Sequence, residues 1–306
     1  MNDITEKISS LRTASAEGFV FCAPETLKRV KESTLPKGDL FGVAKAAGLL
    51  AAKKTSDLIP HCHPVSIDGL EILFETFENQ EGTGIKILVN AKSIGRTGIE
   101  IEALTSLSVA ALTVYDLLKP IDKNLVISSI RLLEKKGGKS DTQSTKFSSG
   151  SSAAVLVCSD STFEGKKEDG SGKIIQSMLE AKGVVVKEYK IVPDDPEKIK
   201  EAVQSWVASK TDLIVTTGGT GLGPRDLTPD AIEPLLEQRI PGIEEAMRSF
   251  GQDRTPFAML SRSLAGRIGK TIVVCLPGSS NGAKESLSAI LPGLFHAKKM
   301  MRGEGH

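Results

Sequence analysis

The chain places a glycine-rich loop directly after an apolar run, in the stretch Leu213-Ile214-Val215-Thr216-Thr217-Gly218-Gly219-Thr220-Gly221. Two short motifs follow it, Pro224-Arg225-Asp226 and Thr228-Pro229-Asp230. In a parallel α/β sheet an apolar strand ends in such a loop, and the backbone amides of the loop bind an anion or a nucleotide phosphate. The stretch therefore predicts a parallel α/β sheet and phosphate chemistry in this part of the chain.

The composition is that of a globular protein with two domains. At 306 residues, of which 40% are hydrophobic, the chain is long enough to form two cores of ordinary size. Lysine and arginine total 39 against 38 aspartate and glutamate, so the chain lacks the basic excess of a nucleic-acid-binding protein. We expect no signal peptide, no membrane-spanning segment and a cytoplasmic location.

The four cysteines give no sign of a disulfide framework or of a zinc ribbon. Cys22, Cys62, Cys158 and Cys275 are widely separated, and the sequence contains no Cys-x-x-Cys pair. We expect all four to be reduced.

A polar tract rich in serine, glycine and threonine divides the chain. It runs from about Gly137 to Ser152 and contains almost no side chain that could join a hydrophobic core. This composition predicts a flexible linker over residues 140–152, a first domain over residues 1–139 and a second domain over residues 153–306.

The first domain is predicted to be α+β, with an antiparallel sheet and helices in a ferredoxin-like arrangement. Leu40, Ala44, Ala47 and Leu50 recur at helical spacing, which predicts a helix over residues 39–53. The other predicted elements are a hairpin of strands 70–77 and 85–91, a helix over 99–118 and a strand over 125–133.

The second domain is predicted to be a doubly wound, mostly parallel α/β sheet, because strands and helices alternate after the linker. The predicted order is strand 153–158, helix 172–182, strand 184–191, helix 196–209, strand 213–217, strand 271–276 and helix 283–301. Functional sites in such sheets gather at the carboxyl ends of the strands. We therefore expect the loops after Cys158, Ile191, Thr217 and Leu276 to form one site.

Two aspartates in these loops are candidate ligands of Mg²⁺. Asp194 follows the second strand, and Asp226 follows the glycine loop. Carboxylates beside a phosphate-binding loop are what magnesium-dependent phosphoryl or nucleotidyl transfer requires, because the metal neutralises phosphate charge. We interpret the next motif as structural, with Thr228 as a helix N-cap and Asp230 favourable to the helix dipole.

Together these motifs resemble those of the molybdopterin adenylyltransferases of molybdenum cofactor biosynthesis. The resemblance covers about residues 153–303 and includes Asp169-Gly170-Ser171-Gly172, the glycine loop with Arg225-Asp226, Leu260-Ser261-Arg262 and Leu276-Pro277-Gly278-Ser279. It implies that Mg²⁺-ATP and molybdopterin react to give adenylylated molybdopterin and pyrophosphate, with Asp194 and Asp226 needed for activity. The residues implied to contact the substrates are Ser159, Asp160, Thr217, Gly218, Gly219, Thr220, Gly221, Ser261, Pro277, Gly278 and Ser279.

One position departs from this family. The chain has Ser280-Asn281 after Ser279, where the family commonly has proline and lysine. A lysine able to contact phosphate is therefore missing unless Lys284 or another residue replaces it. This leaves two alternatives for the second domain, an adenylyltransferase and a non-catalytic binder of molybdopterin.

The first half carries a histidine motif that has two interpretations, a functional one and a structural one. His61 and His63 flank Cys62, but one tripeptide cannot complete a tetrahedral zinc shell, so we set a metal site aside. His63 is then either a functional residue, as a proton shuttle or a hydrogen-bond donor to phosphate, or a structural histidine.

Two acidic motifs in the first half are equally open. Glu100 and Glu102 stand near a helix start, where they either stabilise the helix or accept the N–H edge of a guanine or pterin ring. Asp116 and Lys119 lie three residues apart on one helix, as a surface ion pair or as a proton-transfer pair. A lysine buried beside an aspartate can have its pKa tuned to proton transfer.

These motifs resemble those of the cyclic pyranopterin monophosphate synthases, which act earlier in the same pathway. The resemblance covers about residues 4–139 and includes Lys37-Gly38-Asp39, Cys62-His63-Pro64 and the stretches 95–104 and 110–116. It implies conversion of 3′,8-cyclo-7,8-dihydro-GTP into cyclic pyranopterin monophosphate and pyrophosphate. The implied pocket residues are Lys37, His63, Glu100, Glu102, Asp116, Lys119 and Lys135, and His61 is assigned no role.

We therefore expect a bifunctional enzyme of molybdenum cofactor biosynthesis that acts on small molecules. Both families form symmetric assemblies, so a homo-oligomer, a trimer or a hexamer, is expected. The alternatives are a catalytic first half joined to a non-catalytic molybdopterin-binding half, and a nucleotide-binding scaffold without activity.

Overall fold

The structure is a computed structural model, and it describes residues 1–80, 82–138 and 151–301. The chain divides into two compact units, Met1–Thr142 and Gln143–His306. Residues 140–150 of the predicted linker lie outside the described residues. Ser151 and Ser152, also assigned to the linker, are buried, and Ser152 begins the first strand of the second unit. The second domain therefore begins before residue 153.

The first unit is an antiparallel sheet covered by helices. Its elements are β1 (Ser10–Phe21), α1 (Pro24–Lys31), α2 (Leu40–Lys53), α3 (Thr55–Leu58), β2 (Gly69–Asn79), β3 (Gly82–Gly95), α4 (Glu100–Leu118) and β4 (Val126–Lys136). The strands lie in the order β2-β3-β1-β4, and every neighbouring pair is antiparallel. The predicted α+β class with an antiparallel sheet is confirmed.

The predicted hairpin is the β2–β3 pair, and both strands are longer than predicted. Its register pairs Leu70 with Ala91 and Asn79 with Gly82. Gly82 has a φ of 134°, a backbone conformation that residues with a Cβ rarely adopt, so a glycine is needed where the hairpin closes. Glu81, within the predicted turn, lies outside the described residues.

The central strand β1 is not predicted by the sequence. Its core-facing residues are small, and Ala14 and Ala16 are buried there. A Cβ on Gly18 would lie 3.4 Å from Leu107 Cδ1, so this strand is close to α4. Small residues allow that close packing, and they also remove the apolar alternation by which strands are recognised.

Helix α4 fills the core of the first unit. Ala103, Leu107, Ala110 and Val114, spaced three or four residues apart, are fully buried in that core. By length and apolar composition alone this helix could cross a membrane, which differs from the prediction that no segment could. Because it packs against α2, β1, β3 and β4, its apolar character serves the interior of this unit.

The second unit is built on a six-stranded, mostly parallel sheet, as predicted. Its elements are β5 (Ser152–Cys158), α5 (Asp160–Phe163), α6 (Ser171–Glu180), β6 (Val185–Val192), α7 (Pro196–Ala208), β7 (Leu213–Thr217), α8 (Thr228–Ile232), β8 (Gln238–Arg239), α9 (Pro241–Gln252), β9 (Leu264–Ile268), β10 (Thr271–Leu276) and α10 (Ser280–Met301). The strand order is β6-β5-β7-β10-β9-β8. The first four of these are parallel, while β9 and β8 add an antiparallel edge that the sequence does not predict.

Helices cover both faces of this sheet, which confirms the doubly wound prediction. On one face Val155 packs with Ile175 of α6 and Leu287 of α10. On the other face Leu156 packs with Ile199 of α7. Since both faces are buried, the inner strands β7 and β10 are buried throughout and mostly apolar, and this is why they have their predicted bounds.

All four cysteines are free, as predicted, and three of them are buried in the two units. Burial raises the pKa of the Cys22 thiol to about 11 and that of the Cys275 thiol to about 12. Buried thiols of this kind pack as small apolar groups.

A partly buried charged cluster anchors the start of β5. The Asp212 carboxylate accepts hydrogen bonds from the Ser152 N–H at 2.7 Å and from the Ser152 hydroxyl at 3.1 Å. Lys298 of α10 lies 2.9 Å from this carboxylate and donates to the Ser151 hydroxyl at 2.7 Å. Burial alone would raise the pKa of Asp212, but the Ser152 amide and Lys298 outweigh it and lower that pKa.

Replacing Asp212 with alanine is expected to destabilise the second unit by about 1–3 kcal/mol, because the Ser152 amide loses its acceptor. Since the folded-state pKa is depressed, this stabilisation is present above the ordinary value of 3.8 and is lost as the pH falls through the folded-state value. Urea denaturation followed by fluorescence of Trp206, the single tryptophan, measures this unit. Glu237→Ala, which removes an exposed pairing with Arg267, is the control. Equal midpoints for the two variants at pH 7 would contradict the anchoring role.

Candidate functional site

Glycines bring three loops together at the carboxyl edge of the second sheet. Gly218 and Gly219 have φ values of 94° and 61°. A Cβ on Gly218 would lie 2.1 Å from the Cys158 carbonyl oxygen at the end of β5. A Cβ on Gly278, after β10, would lie 3.0 Å from the Gly218 Cα. Any side chain on Gly218 would therefore separate these loops.

Asp160 connects the loops that follow β5, β6 and β7. The Asp160 N–H donates to Asp194 Oδ2 at 3.1 Å, and the Asp194 N–H donates to Asp160 Oδ1 at 3.0 Å. The other carboxylate oxygen of Asp160 accepts from the Arg225 guanidinium at 2.6 and 3.1 Å. Both oxygens of Asp160 thus have protein partners, and they orient Asp194 and Arg225.

The two predicted magnesium ligands lie at this same edge. Asp194 Oδ1 is buried and has no hydrogen-bond partner among the described residues, and Asp226 Oδ2 accepts from the Gly223 N–H at 2.8 Å. Burial raises the pKa of Asp194, the Asp160 amide opposes that rise, and the charges of Asp160 and Asp226 add to it. A cation would relieve both the crowded negative charge and the unpartnered oxygen.

The donor set fits Mg²⁺ in a particular way. Within residues 1–80, 82–138 and 151–301 no group of three or more His, Cys, Asp or Glu side chains is arranged to hold a metal. Mg²⁺ is usually bound through one or two carboxylates, with phosphates and water completing its shell. Asp194 and Asp226 therefore fit a metal that arrives with a phosphate ligand.

Several residues predicted to contact substrate hold the loops in place. Thr217 is fully buried, and its hydroxyl donates to the Pro277 carbonyl at 2.8 Å. The Ser159 hydroxyl accepts the Thr162 N–H at 3.4 Å, at the start of α5. In the same way the Ser279 hydroxyl accepts the Gly282 N–H at 3.2 Å, at the start of α10, and the Ser261 hydroxyl pairs with that of Ser263 at 2.8 Å.

Thr228 does not cap the helix that follows, so that prediction is wrong. Helix α8 begins at Thr228 itself, Leu227 occupies the N-cap position, and no described side chain caps it. The Thr228 N–H donates to the Gly219 carbonyl at 3.1 Å, and a Cβ on Gly219 would lie 2.3 Å from Thr228 Oγ1. Thr228 instead packs against the glycine loop, because the missing Cβ of Gly219 leaves room for its hydroxyl.

Two arginines at this edge were not predicted. Arg225 pairs with Asp160, and Arg262 pairs with Asp230 at 2.9 Å. Both arginines have a weak signal in the sequence, since each stands beside a predicted site residue, Asp226 or Ser261. Arginine is so common at surfaces that this adjacency alone does not distinguish it.

The first unit brings Lys37, Asp116 and Lys119 together at the carboxyl end of α4. Lys119 Nζ lies 2.5 Å from Asp116 Oδ1, and Lys37 Nζ lies 3.2 Å from Asp116 Oδ2. The Lys119 and Lys37 hydrogen bonds lower the pKa of Asp116, while the Asp116 carboxylate raises the pKa of Lys119. Within one copy of the chain Lys119 is half exposed, and the Asp116 carboxylate favours its protonated form.

Four further side chains gather at the amino end of α4. Lys135 Nζ lies 3.2 Å from Glu100 Oε1, and the Cys62 thiol donates to Glu102 Oε1 at 3.4 Å. Glu102 is 2% exposed, and its Oε2 has no partner in the described part of the chain. Burial raises the pKa of Glu102, and the charge of Glu100 adds to the rise. Cys62 was quoted in the sequence motif but not predicted as a site residue.

His63 makes a contact with the beginning of the chain. Its Nε2–H donates to the Asn2 carbonyl oxygen at 2.7 Å. His61 is exposed.

The two groups of first-unit residues stand at opposite ends of α4. Fourteen residues separate Glu102 from Asp116, which at 1.5 Å per residue is about 21 Å along the helix. Within one copy of the chain, six of the seven predicted residues therefore form two clusters and not one pocket, while His63 contacts Asn2.

Comparisons with known proteins match the two halves separately. A model described as the MoaC family matches residues 1–138, and one described as a probable molybdopterin binding domain matches residues 154–296. A cyclic pyranopterin monophosphate synthase from Thermoanaerobacter pseudethanolicus is 49% identical over 141 residues, which are 46% of this chain and 87% of that protein.

Two relatives match the whole chain. A molybdenum cofactor biosynthesis bifunctional protein from Chlorobaculum tepidum is 42% identical over 306 residues, covering 100% of this chain and 96% of the relative. A protein of the same description from Synechococcus elongatus is 39% identical over 316 residues, covering 100% of this chain and 98% of the relative. The first half is thus a MoaC domain and the second a molybdopterin-binding domain, and the chain belongs to the family of bifunctional molybdenum cofactor biosynthesis proteins.

Proposed function

We propose that the first unit converts 3′,8-cyclo-7,8-dihydro-GTP into cyclic pyranopterin monophosphate with release of pyrophosphate. The observation that carries this proposal is the pairing, in one unit, of a lysine cluster suited to a triphosphate with an unpartnered Glu102 oxygen suited to a ring N–H. The similarity to a cyclic pyranopterin monophosphate synthase supports it. We also propose a ferredoxin-like type for this unit, supported by its β-α-β-β-α-β order.

Each side chain has a role in this reaction that follows from its contacts. Lys37 and Lys119 neutralise the phosphates. Lys119 Nζ and Asp116 Oδ1 lie 2.5 Å apart, and this pair donates a proton from Lys119 and accepts one at Asp116 as the ring opens and closes again. Glu102 accepts the ring N–H groups, since one of its oxygens already has the Cys62 thiol as partner and the other is open to a donor.

The remaining first-unit residues assist in binding. Glu100 accepts a ring N–H and holds Lys135 close to the ring. His63 donates to a phosphate oxygen in place of the Asn2 carbonyl oxygen, which is the same kind of acceptor.

We further propose that two copies of the chain form each first-unit site. The two clusters of one copy lie about 21 Å apart along α4, so one substrate reaches both kinds of cluster only at a boundary between copies. A homo-oligomer, a trimer or a hexamer, provides such boundaries. This arrangement explains why Lys37, Asp116 and Lys119 are exposed in a single copy.

We propose that the second unit transfers the adenylyl group of ATP to molybdopterin. An oxygen of the terminal phosphate of molybdopterin attacks the α-phosphorus of ATP. A new P–O bond forms as the bond from the α-phosphorus to the bridging oxygen breaks, and pyrophosphate leaves with the electron pair of that bond. The convergence of the glycine loop with Asp194 and Asp226 carries this proposal.

The residues at the carboxyl edge of the second sheet have different roles in this transfer. The backbone N–H groups of residues 218–221 hold phosphate oxygens in line, and Arg225, oriented by Asp160, supplies positive charge. Asp194 and Asp226 would hold Mg²⁺, which when bound neutralises phosphate charge. The close contact of Gly218 with the ends of β5 and β10 keeps these groups in fixed relative positions.

A non-catalytic molybdopterin-binding unit is the alternative, and Ser280 favours it. Ser280 begins α10, and its Oγ lies 2.6 Å from the position of a Cβ on Gly170, at the start of α6. Its side chain therefore stands against the start of α6, where the family commonly has a proline followed by a lysine. A cytoplasmic location and the absence of nucleic-acid and membrane partners stay predictions.

Co-expression of two inactive variants tests whether two copies of the chain share each first-unit site. Glu102→Gln and Lys119→Ala are each expected to lower the rate of cyclic pyranopterin monophosphate formation by about 10²–10⁴-fold. Co-expressed, they are expected to regain part of the rate, because some boundaries then combine intact clusters from two copies. Lys123→Ala, outside the cluster, is the control.

Product is measured chromatographically, and assembly by light scattering. Mixed oligomers without recovered activity would contradict a shared site, and a monodisperse monomer would contradict the assembly. An inactive natural chain would contradict the proposed reaction itself.

The Asp226→Ala variant distinguishes the two hypotheses for the second unit, an adenylyltransferase and a non-catalytic molybdopterin-binding unit. The natural chain, given molybdopterin, ATP and Mg²⁺, is expected to release pyrophosphate, and the variant to release it about 10²–10³-fold more slowly, since a charge-stabilising group is lost. Glu237→Ala, at the exposed edge of the sheet, should match the natural chain. Molybdopterin binding without pyrophosphate release by the natural chain would favour the non-catalytic alternative.

A further inference from the structure

We propose that Arg262 is a positioning residue of the second-unit site, which holds loop 220–226 and through it the Asp226 carboxylate. This inference rests on the proposed adenylyl transfer, because it concerns how one of the reacting groups is placed. Arg262 lies between the 3₁₀ helix Pro256–Leu260 and β9. Its guanidinium reaches back to the glycine loop, which is far away in sequence.

Besides Arg262, the exposed part of the loop is held by the pairing of Arg225 with Asp160, in the segment that follows β5. Leu222, Gly223, Pro224 and Arg225 are exposed, and Leu222 is 69% exposed, so apolar burial does not fix this segment. Its internal hydrogen bonds run between Gly223 and Asp226, from the Gly223 N–H to Asp226 Oδ2 at 2.8 Å and from the Asp226 N–H to the Gly223 carbonyl at 3.0 Å. These bonds shape the turn itself, so its position relative to the sheet is set by Arg262 and by the Arg225–Asp160 pair.

Arg262 binds the loop at both ends. Its main-chain N–H donates to the Thr220 carbonyl at 2.9 Å, and its Nε–H donates to the Gly221 carbonyl at 2.9 Å. Its Nη2 donates to the Asp226 main-chain carbonyl. One side chain thus joins the residue before the exposed turn to the residue that carries the proposed metal-binding carboxylate.

Asp230 holds the guanidinium in the orientation that these bonds need. Arg262 Nη1 donates to Asp230 Oδ2 at 2.9 Å and to Asp230 Oδ1 at 3.1 Å. A planar guanidinium offers donors on three nitrogens in fixed directions, whereas a lysine offers one nitrogen. This gives Asp230 a role beyond the helix dipole interaction predicted from the sequence.

An open cavity beside the loop makes this restraint necessary. The cavity has a volume of about 360 Å³, and Asp226, Asp230 and Arg262 are among its lining residues. Without the Arg262 bonds, the Arg225–Asp160 pair would still restrain one point of the turn, but the Asp226 end of the turn would be able to shift into this space. Displacing a reacting group by about 1 Å can cost about 10²-fold in rate, so the position of Asp226 requires such support.

The test compares Arg262→Ala, Arg262→Lys and Asp230→Asn with Arg267→Ala in the full chain. Arg267 is a matched control, because it is an arginine of β9 that pairs with Glu237 and Gln238, away from the loop. The first readout is hydrogen exchange at the Gly223 and Asp226 amides. We expect at least about 10-fold faster exchange in Arg262→Ala, with the amides of β7 and β10 unchanged and with a smaller effect in Asp230→Asn.

The second readout is the split between kcat and KM for pyrophosphate release. We expect Arg262→Ala to lower kcat by about 10²-fold with less than about a 3-fold change in KM for ATP, and Arg262→Lys to recover little of it. Added methylguanidinium should restore part of kcat to Arg262→Ala, but not to Asp226→Ala. A residue that merely stabilises the fold would show no such rescue.

Two outcomes overturn the proposal. One is unchanged exchange of the loop amides in Arg262→Ala. The other is a loss of protection in β7 that accompanies the loss of rate, and if Arg262→Ala does not fold, Asp230→Asn decides by the same criteria. If the natural chain releases no pyrophosphate, the proposed adenylyl transfer fails, while the exchange data still decide whether Arg262 holds the loop.

Discussion

The site in the second unit depends on one close contact, the approach of the Gly218 backbone to the Cys158 carbonyl oxygen. A Cβ on Gly218 would lie 2.1 Å from that oxygen, so this contact requires glycine with a positive φ. It brings the loop after β7 onto the end of β5, where Asp160 binds both Asp194 and Arg225. Backbone geometry therefore brings the loops of the candidate site together, and the charged side chains of Asp160 and Arg262 orient the groups that these loops carry.

The candidate site residues of the first unit are positioned in a different way. One rigid helix, α4, carries acidic residues at both ends, and partners from other elements gather around each end. The burial of Glu102 and the exposure of the Asp116–Lys119 pair give the two ends opposite electrostatic character, since the pKa of Glu102 is raised and that of Asp116 is lowered. The length of the helix is what makes a second copy of the chain necessary to the proposed reaction.

The sequence predicts the parts of the fold in which residue type and environment agree. The parallel strands β7 and β10 are buried throughout and mostly apolar, and their bounds were predicted correctly. Strand β1 was missed because its core positions are Ala14, Ala16 and Gly18, which are chosen for close packing with α4 and not for hydrophobicity. The bounds of a sheet edge such as β9 depend on its partner strand, which the local sequence does not reveal.

The candidate site shows the same division. Asp194, Asp226 and the glycine loop were predicted because carboxylates and glycines directly after the strands of a parallel sheet indicate a phosphate-binding site. The partner of Arg262 and the packing of Thr228 against Gly219 were not, because both depend on contacts across many residues of chain. Similarly, the sequence contains the number of residues between Glu102 and Asp116, but the distance between them follows only from the observation that α4 is one continuous helix.

A crystal structure of the full chain with Mg²⁺ and a non-hydrolysable ATP analogue tests the central claim most directly. The account predicts phosphate oxygens within hydrogen-bond distance of the backbone amides of residues 218–221, and a cation in contact with Asp194 or Asp226. Phosphates bound away from the Gly218 loop, or a cation bound without either carboxylate, would contradict it.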